Sequence, residues 1–92
     1  MRQIVLQGED FTSKEAFHTI IKEQLGFPEY YGNNLDALWD SLTTDMQLPA
    51  EILWVSFKRS REQLGKYALV AFRIFERAAE ESDGQIIFNC IE

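Results

Sequence analysis

Asp36 and Asp40 stand four residues apart in the stretch Phe27–Leu42, FPEYYGNNLDALWDSL, with Trp39 beside them. On a helix that spacing sets two like charges on neighbouring positions, at a cost of a few tenths of a kcal/mol. Paired carboxylates serve acid–base chemistry, metal binding or recognition of a cation. A glycosidase needs its two carboxylates on opposite sides of a sugar, whereas these two project from one helix face. A metal site needs further donors, and the only histidine, His18, lies in another segment and is expected at the surface or its boundary. No Cys–His, Ser–His or glycine-rich phosphate constellation is present. The chain therefore reads as a non-enzyme without metal or cofactor, and the carboxylates as groups that meet a cationic partner. A solvated acidic face that only keeps the domain soluble is the plain alternative.

The surroundings favour a partner. From Glu23 to Phe57 there are six carboxylates and no Lys or Arg, which makes a one-signed field rather than the usual mixed surface. Tyr30 and Tyr31 precede the acidic run, and exposed loop aromatics beside charge suit a binding surface. At least one of the two is expected to pack on the core. The formal charge of −6 disfavours direct contact with nucleic acid, whose phosphates are neutralised by Lys and Arg. It suits a basic protein instead, whose approach it would steer.

Ninety-two residues, of which 46% are hydrophobic, predict one domain over residues 1–92 with a single core. Nothing approaches the roughly 20 apolar residues of a membrane span, and no leader pattern follows Met1. One cysteine, Cys90, cannot form an internal disulfide and reads as a small buried hydrophobe in a reducing compartment. These features predict a cytoplasmic monomer.

The elements that position the acidic run follow from periodicity. Ile4–Leu6 reads as a strand. Thr12 and Glu15 have capping-box spacing, and Phe17, Ile20, Ile21 and Leu25 predict a helix over residues 13–25, stopped by Gly26 and Pro28. Residues 27–33 form a loop, and Asn33 or Asn34 caps the next helix. In that helix Leu35, Leu38, Trp39 and Leu42 fill an arc of about 100°. Asp36 and Asp40 lie beside that arc, on the solvent side. Residues 52–57 read as a second strand and residues 58–65 as a short basic helix or loop. From Lys66, Ala68, Leu69, Phe72, Phe75 and Ala79 share one face, while Val70 and Ile74 add a second apolar side that predicts a largely buried start. Residues 86–91 make a third strand. Helices between strands favour a parallel sheet, and continuous apolar strands a sheet covered on both faces. The fold expected is a small α/β domain, three parallel strands with three to four helices.

The block PEYYG-x-NLDALWD-x-L resembles the barstar family, intracellular inhibitors of barnase-like ribonucleases, and the remaining elements agree in order and length. The resemblance implies that the acidic helix and its preceding loop enter the active site of a basic ribonuclease or a related toxin. It implies a partner-binding set of Tyr30, Tyr31, Gly32, Asn34, Leu35, Asp36, Trp39, Asp40, Thr43, Thr44, Asp45, Arg77 and Glu81. Asp40 matches the central carboxylate that takes a phosphate position, Asp36 adds a second charge, and Tyr30 matches an aromatic anchor at the mouth. Two departures stand out. Where a well-known member of the family has a glycine and a tryptophan after this helix, this chain has Thr44 and Asp45. An acidic contact position on the last helix falls at Arg77, with reversed sign, and a second at Glu81; Glu76 and Glu80 are near enough to compete for these roles. Arg77 would then pair with Asp36 or Asp40, or meet an acidic rim. The departures leave open a barstar-like module that docks a basic protein other than a ribonuclease.

Overall fold

The apolar residues at the start of the chain alternate in burial. In the computed structural model, which describes residues 2–92, strand β1 (Arg2–Gln7) buries Ile4 and Leu6 and turns Val5 outwards. Strands β2 (Ala50–Val55) and β3 (Ile86–Cys90) complete a parallel sheet in the order β1-β2-β3, with Ile4 opposite Ile52 and Ile52 opposite Phe88. Ala50, Ile52, Trp54 and Ile86 face the core, whereas Val5 and Ile87 are 39% and 40% exposed. The sheet is thus packed on one face and open on the other, which corrects the expectation of two covered faces. Unbroken apolar runs carried that expectation, yet single β-branched residues are well tolerated on a solvent-facing sheet.

Four helices lie between the strands: α1 (Lys14–Leu25), α2 (Leu35–Thr44), α3 (Phe57–Leu64) and α4 (Lys66–Glu80). A single 3-10 turn, Gly8–Asp10, follows β1. The cap of α1 is Ser13, whose hydroxyl accepts from the Ala16 amide at 3.0 Å, one residue later than the Thr12–Glu15 box predicts. Gly26 ends α1 in the left-handed region, at φ 71°, and the Arg2 guanidinium donates to the Gln24 carbonyl there at 3.1 Å. The basic segment after β2 is helix α3, which only Gly65 separates from α4. On α4 the buried residues are Ala68, Ala71, Phe75 and Ala78; Ile74 is half-buried and Val70 exposed. The second apolar side of α4 is therefore not core. Cys90 is half-buried on β3 rather than fully buried, and its thiol is pushed up to about 11, chiefly by desolvation.

Trp54 is the centre of the core. Phe11, Phe57 and Phe75 pack edge-on around it with ring centroids at 5.5, 5.0 and 5.9 Å. Its indole N–H donates to Ser60 Oγ at 3.0 Å, and that hydroxyl donates to the Gly8 carbonyl at 2.9 Å. These hydrogen bonds leave no buried side-chain polar atom of the group unpaired and tie the turn after β1 to β2 and α3. The arrangement also requires a glycine at position 8. A Cβ there would lie 2.5 Å from Ser60 Oγ and 2.6 Å from the Ser56 carbonyl oxygen, and closer still to that of Val55.

A second polar chain braces the loop before α2. His18 is buried, which corrects its expected surface position. Its Nδ1 lies 2.7 Å from the Tyr31 hydroxyl and its Nε2 2.6 Å from the Tyr67 hydroxyl. A neutral ring meets this arrangement by donating to one tyrosine oxygen and accepting from the other hydroxyl. Burial lowers the His18 pKa from 6.5 to about 4. The charged form is thus disfavoured in the folded chain, so the unfolded chain binds more protons between those values.

Two stability predictions follow from these chains. Gly8→Ala should cost about 1–3 kcal/mol by overpacking against backbone; an unchanged urea midpoint would contradict the close approach. The His18 contribution should be complete above pH 6.5 and decline as pH falls to about 4, by on the order of 3 kcal/mol. Urea unfolding of the wild type and His18→Gln across that window should show a steeper pH dependence in the wild type, and equal slopes would refute the buried neutral imidazole.

Candidate protein-binding site

Helix α2 packs on α4 through its apolar arc. Leu38 and Leu42 are fully buried, Leu35 and Trp39 half-buried, and Asp36 and Asp40 exposed. Asn34 is the cap: its side-chain oxygen accepts from the Ala37 amide at 2.7 Å, and its amide group donates to the Gly32 carbonyl at 3.2 Å. Asn33 instead takes the left-handed conformation, φ 54°, that the turn requires. A Cβ on Gly32 would approach that of Ala37 to 3.3 Å, so the loop runs tightly over the first turn of α2.

The two tyrosines divide their duties. Tyr31 is buried against Phe27 and bonded to His18, so its side chain braces the loop from within. That meets the expectation that one tyrosine packs on the core, and any contact of Tyr31 with a partner falls to its backbone and the edge of its ring. Tyr30 is 77% exposed. Its hydroxyl donates to Asp45 Oδ1 at 3.0 Å, while Ser41 Oγ donates to Oδ2 of the same carboxylate at 3.2 Å. The hydrogen bond to Asp45 and its negative charge raise the Tyr30 pKa above 10. Asp45, the residue that closes α2, is thus the anchor of the exposed ring. Thr43 and Thr44 are exposed and donate back to the carbonyls of Trp39 and Asp40 at 2.8 and 2.6 Å.

Across from α2, the Arg77 guanidinium lies over the Trp39 ring, 5.5 Å from its centroid, and its Nε donates to Glu81 at 2.8 Å. It pairs with neither Asp36 nor Asp40. The i, i+4 spacing puts Glu81 nearest on the same helix, and the indole face adds a cation–π contact. Between the helices lies a groove of about 610 Å³. Leu35, Asp36, Trp39 and Asp40 line one wall; Val70, Arg73, Ile74 and Arg77 line the other. Val70, Arg73 and Ile74 are absent from the expected site. Their i, i+3, i+4 spacing, continued by Arg77, marks one face of α4 and was the available signal. Among the described residues, the side chains of Asp36, Asp40 and Arg73 make no ion pair or hydrogen bond. No three His, Cys, Asp or Glu side chains among these residues are grouped to hold a metal, and no helix is long and apolar enough to cross a membrane.

Two comparisons with known proteins bear on this arrangement. The family profile described as Barstar (barnase inhibitor) matches residues 1–90. A Bacillus subtilis (strain 168) protein, described as "Putative ribonuclease inhibitor YrdF", is 43% identical over 81 residues, covering 88% of this chain and 89% of the relative. A match over nearly the whole length, on a three-stranded parallel α/β domain whose α2 presents two free carboxylates, assigns the chain to the barstar family of ribonuclease inhibitors.

Proposed function

We propose that this chain inhibits a basic ribonuclease inside the cell by filling its active site with α2 and the preceding loop, Asp40 occupying the place of an RNA phosphate. The observation that carries the reading is that Asp36 and Asp40 are exposed on a rigid helix and unpaired among the described residues. A ribonuclease must hold phosphates with cationic groups, and a carboxylate held in place offers those groups a charge-assisted hydrogen bond without being cleaved. The relative described as a ribonuclease inhibitor and the barstar-family match support the same reading.

Each neighbouring residue has a part. Asp36 adds a second charge to the same site and lies in the first turn, where the helix dipole tolerates it. Tyr30, tethered by Asp45, covers the mouth of the site as an amphipathic ring with little freedom left to lose. Gly32 and Asn34 hold the loop close to α2, and Leu35 and Trp39 supply apolar contact beside the charges. Thr43, Thr44 and Glu81 form a polar border. The inhibitor acts stoichiometrically, as a plug, and carries out no reaction of its own. The departures from the family pattern at Asp45 and Arg77 favour a second reading, a basic partner that is not a ribonuclease.

Titration of the chain against barnase and other small basic ribonucleases, followed by RNA cleavage, should reach a stoichiometric endpoint with at least one enzyme. Asp40→Ala should then cost on the order of 2–5 kcal/mol of binding, because it leaves cationic groups of the enzyme buried and unpaired. Barnase–barstar is itself a source of that range, so the figure is carried over to this chain rather than derived. Tyr30→Ala should cost less, and inhibition unchanged in both variants would remove α2 from the interface. Asp36→Asn/Asp40→Asn together should abolish inhibition while raising the midpoint of thermal unfolding by about 1–2 °C, since the change relieves repulsion of a few tenths of a kcal/mol. Unaltered inhibition by that variant would favour a merely solvated acidic face.

A further inference from the structure

The groove has two walls of opposite sign. On α2, Asp36 and Asp40 stand four residues apart; on α4, Arg73 and Arg77 do the same. Each pair repels itself, and the two pairs do not neutralise each other across the groove: the ion pairs among the described residues are Lys22–Glu29, Arg59–Glu62 and Arg77–Glu81. Arg77 uses only its Nε on Glu81 and lies over the Trp39 ring, which leaves the Nη side of its fork without an acceptor among the described residues. Arg73, exposed one turn earlier, has no acceptor among the described residues.

We propose, on the reading given above, that the α4 wall selects its ribonuclease by a carboxylate on the rim of the enzyme's active site, placed beside the cationic centre that meets Asp40. A rim of uniform positive charge would satisfy Asp36 and Asp40 but face Arg73 and Arg77 with like charge, which costs affinity and so excludes that enzyme. A rim that sets an Asp or Glu next to the cations completes both walls. Trp39 on one wall and Ile74 on the other provide apolar contact that shields the new pairs from water. A second copy of this chain fits less well, although its charges alternate in the same way. Two chains of net charge −6 repel, and two concave grooves set face to face leave space unfilled. The groove calls for a protruding segment of mixed charge on a basic protein.

The test is a display library of catalytically disabled barnase in which the residues bordering the active-site cleft are randomised and the cationic centre is retained. It is selected for binding to the full chain and, separately, to Arg73→Gln/Arg77→Gln, which keeps the length of both stems and both exposed positions. Selection on the wild-type chain should enrich Asp and Glu on the rim. Those clones should bind the wild type at least tenfold more tightly than the double variant, and binding should depend on Asp40. Clones that depend on Asp40 but show no acidic enrichment, or lose nothing with the double variant, would overturn the selective role of α4 and leave the inhibitory reading intact. Clones indifferent to Asp40→Ala, or no binders at all, would overturn both.

Discussion

The apolar arc of α2 is the constraint on which the site depends. Leu38 and Leu42 must face the core, and Leu35 and Trp39 the groove. Helical geometry then leaves Asp36 and Asp40 no direction but outwards. They sit on a helix anchored by buried side chains at its centre, capped by Asn34 at one end and closed by Asp45 at the other. Little conformational freedom remains to be lost when a partner arrives, and preorganisation of this kind favours tight binding over a modest area. The price of that arrangement in the free domain is a small self-repulsion on a fold of ordinary marginal stability.

The loop before α2 is fixed from two sides by tyrosines with opposite roles. Tyr31 reaches inwards to His18, which in turn meets Tyr67 on α4. Tyr30 reaches outwards and is tied to Asp45 at the far end of α2. The exposed ring therefore rides on the same body as the carboxylates, and its position is coupled to the α1–α4 packing through a buried neutral imidazole. Asp45 departs from the pattern the resemblance leads one to expect, yet it has a definite structural use here: it spends its charge on Tyr30 and Ser41. Thr44 likewise turns back to the Asp40 carbonyl. Both departures in this segment are thus engaged within the chain and help to hold α2 and its loop.

Much of this was legible in the sequence. Local signals that act over one helical turn were reliable: the apolar spacing of α2, Gly26 as a stop, and the start of α4 at Lys66; the short basic segment, left open between helix and loop, is helix α3. What failed depended on which surfaces meet. His18 follows an apolar residue in a polar stretch, and nothing local reveals that Tyr31 and Tyr67 converge on it from 13 and 49 residues away. The open face of the sheet was hidden because a continuous apolar strand has one appearance whether one face or two are covered. The absence of basic residues between Glu23 and Phe57 was a true statement about the chain and a misleading one about space, because α4 brings Arg73 and Arg77 to the groove beside the acidic helix. The long block Phe27–Leu42 pointed to the family, and the match over residues 1–90 agrees.

The proposed occupation of a phosphate position by Asp40 has a direct physical consequence: the chain and an anionic ligand of the ribonuclease would exclude each other from the active site. The decisive measurement is calorimetric titration of the chain into a ribonuclease it inhibits, repeated with increasing concentrations of a 3′-mononucleotide bound in that active site. The apparent dissociation constant should rise in proportion to nucleotide concentration once the nucleotide exceeds its own dissociation constant, as mutually exclusive binding requires. A dissociation constant indifferent to the nucleotide would place the chain elsewhere on the enzyme and contradict phosphate mimicry by Asp40.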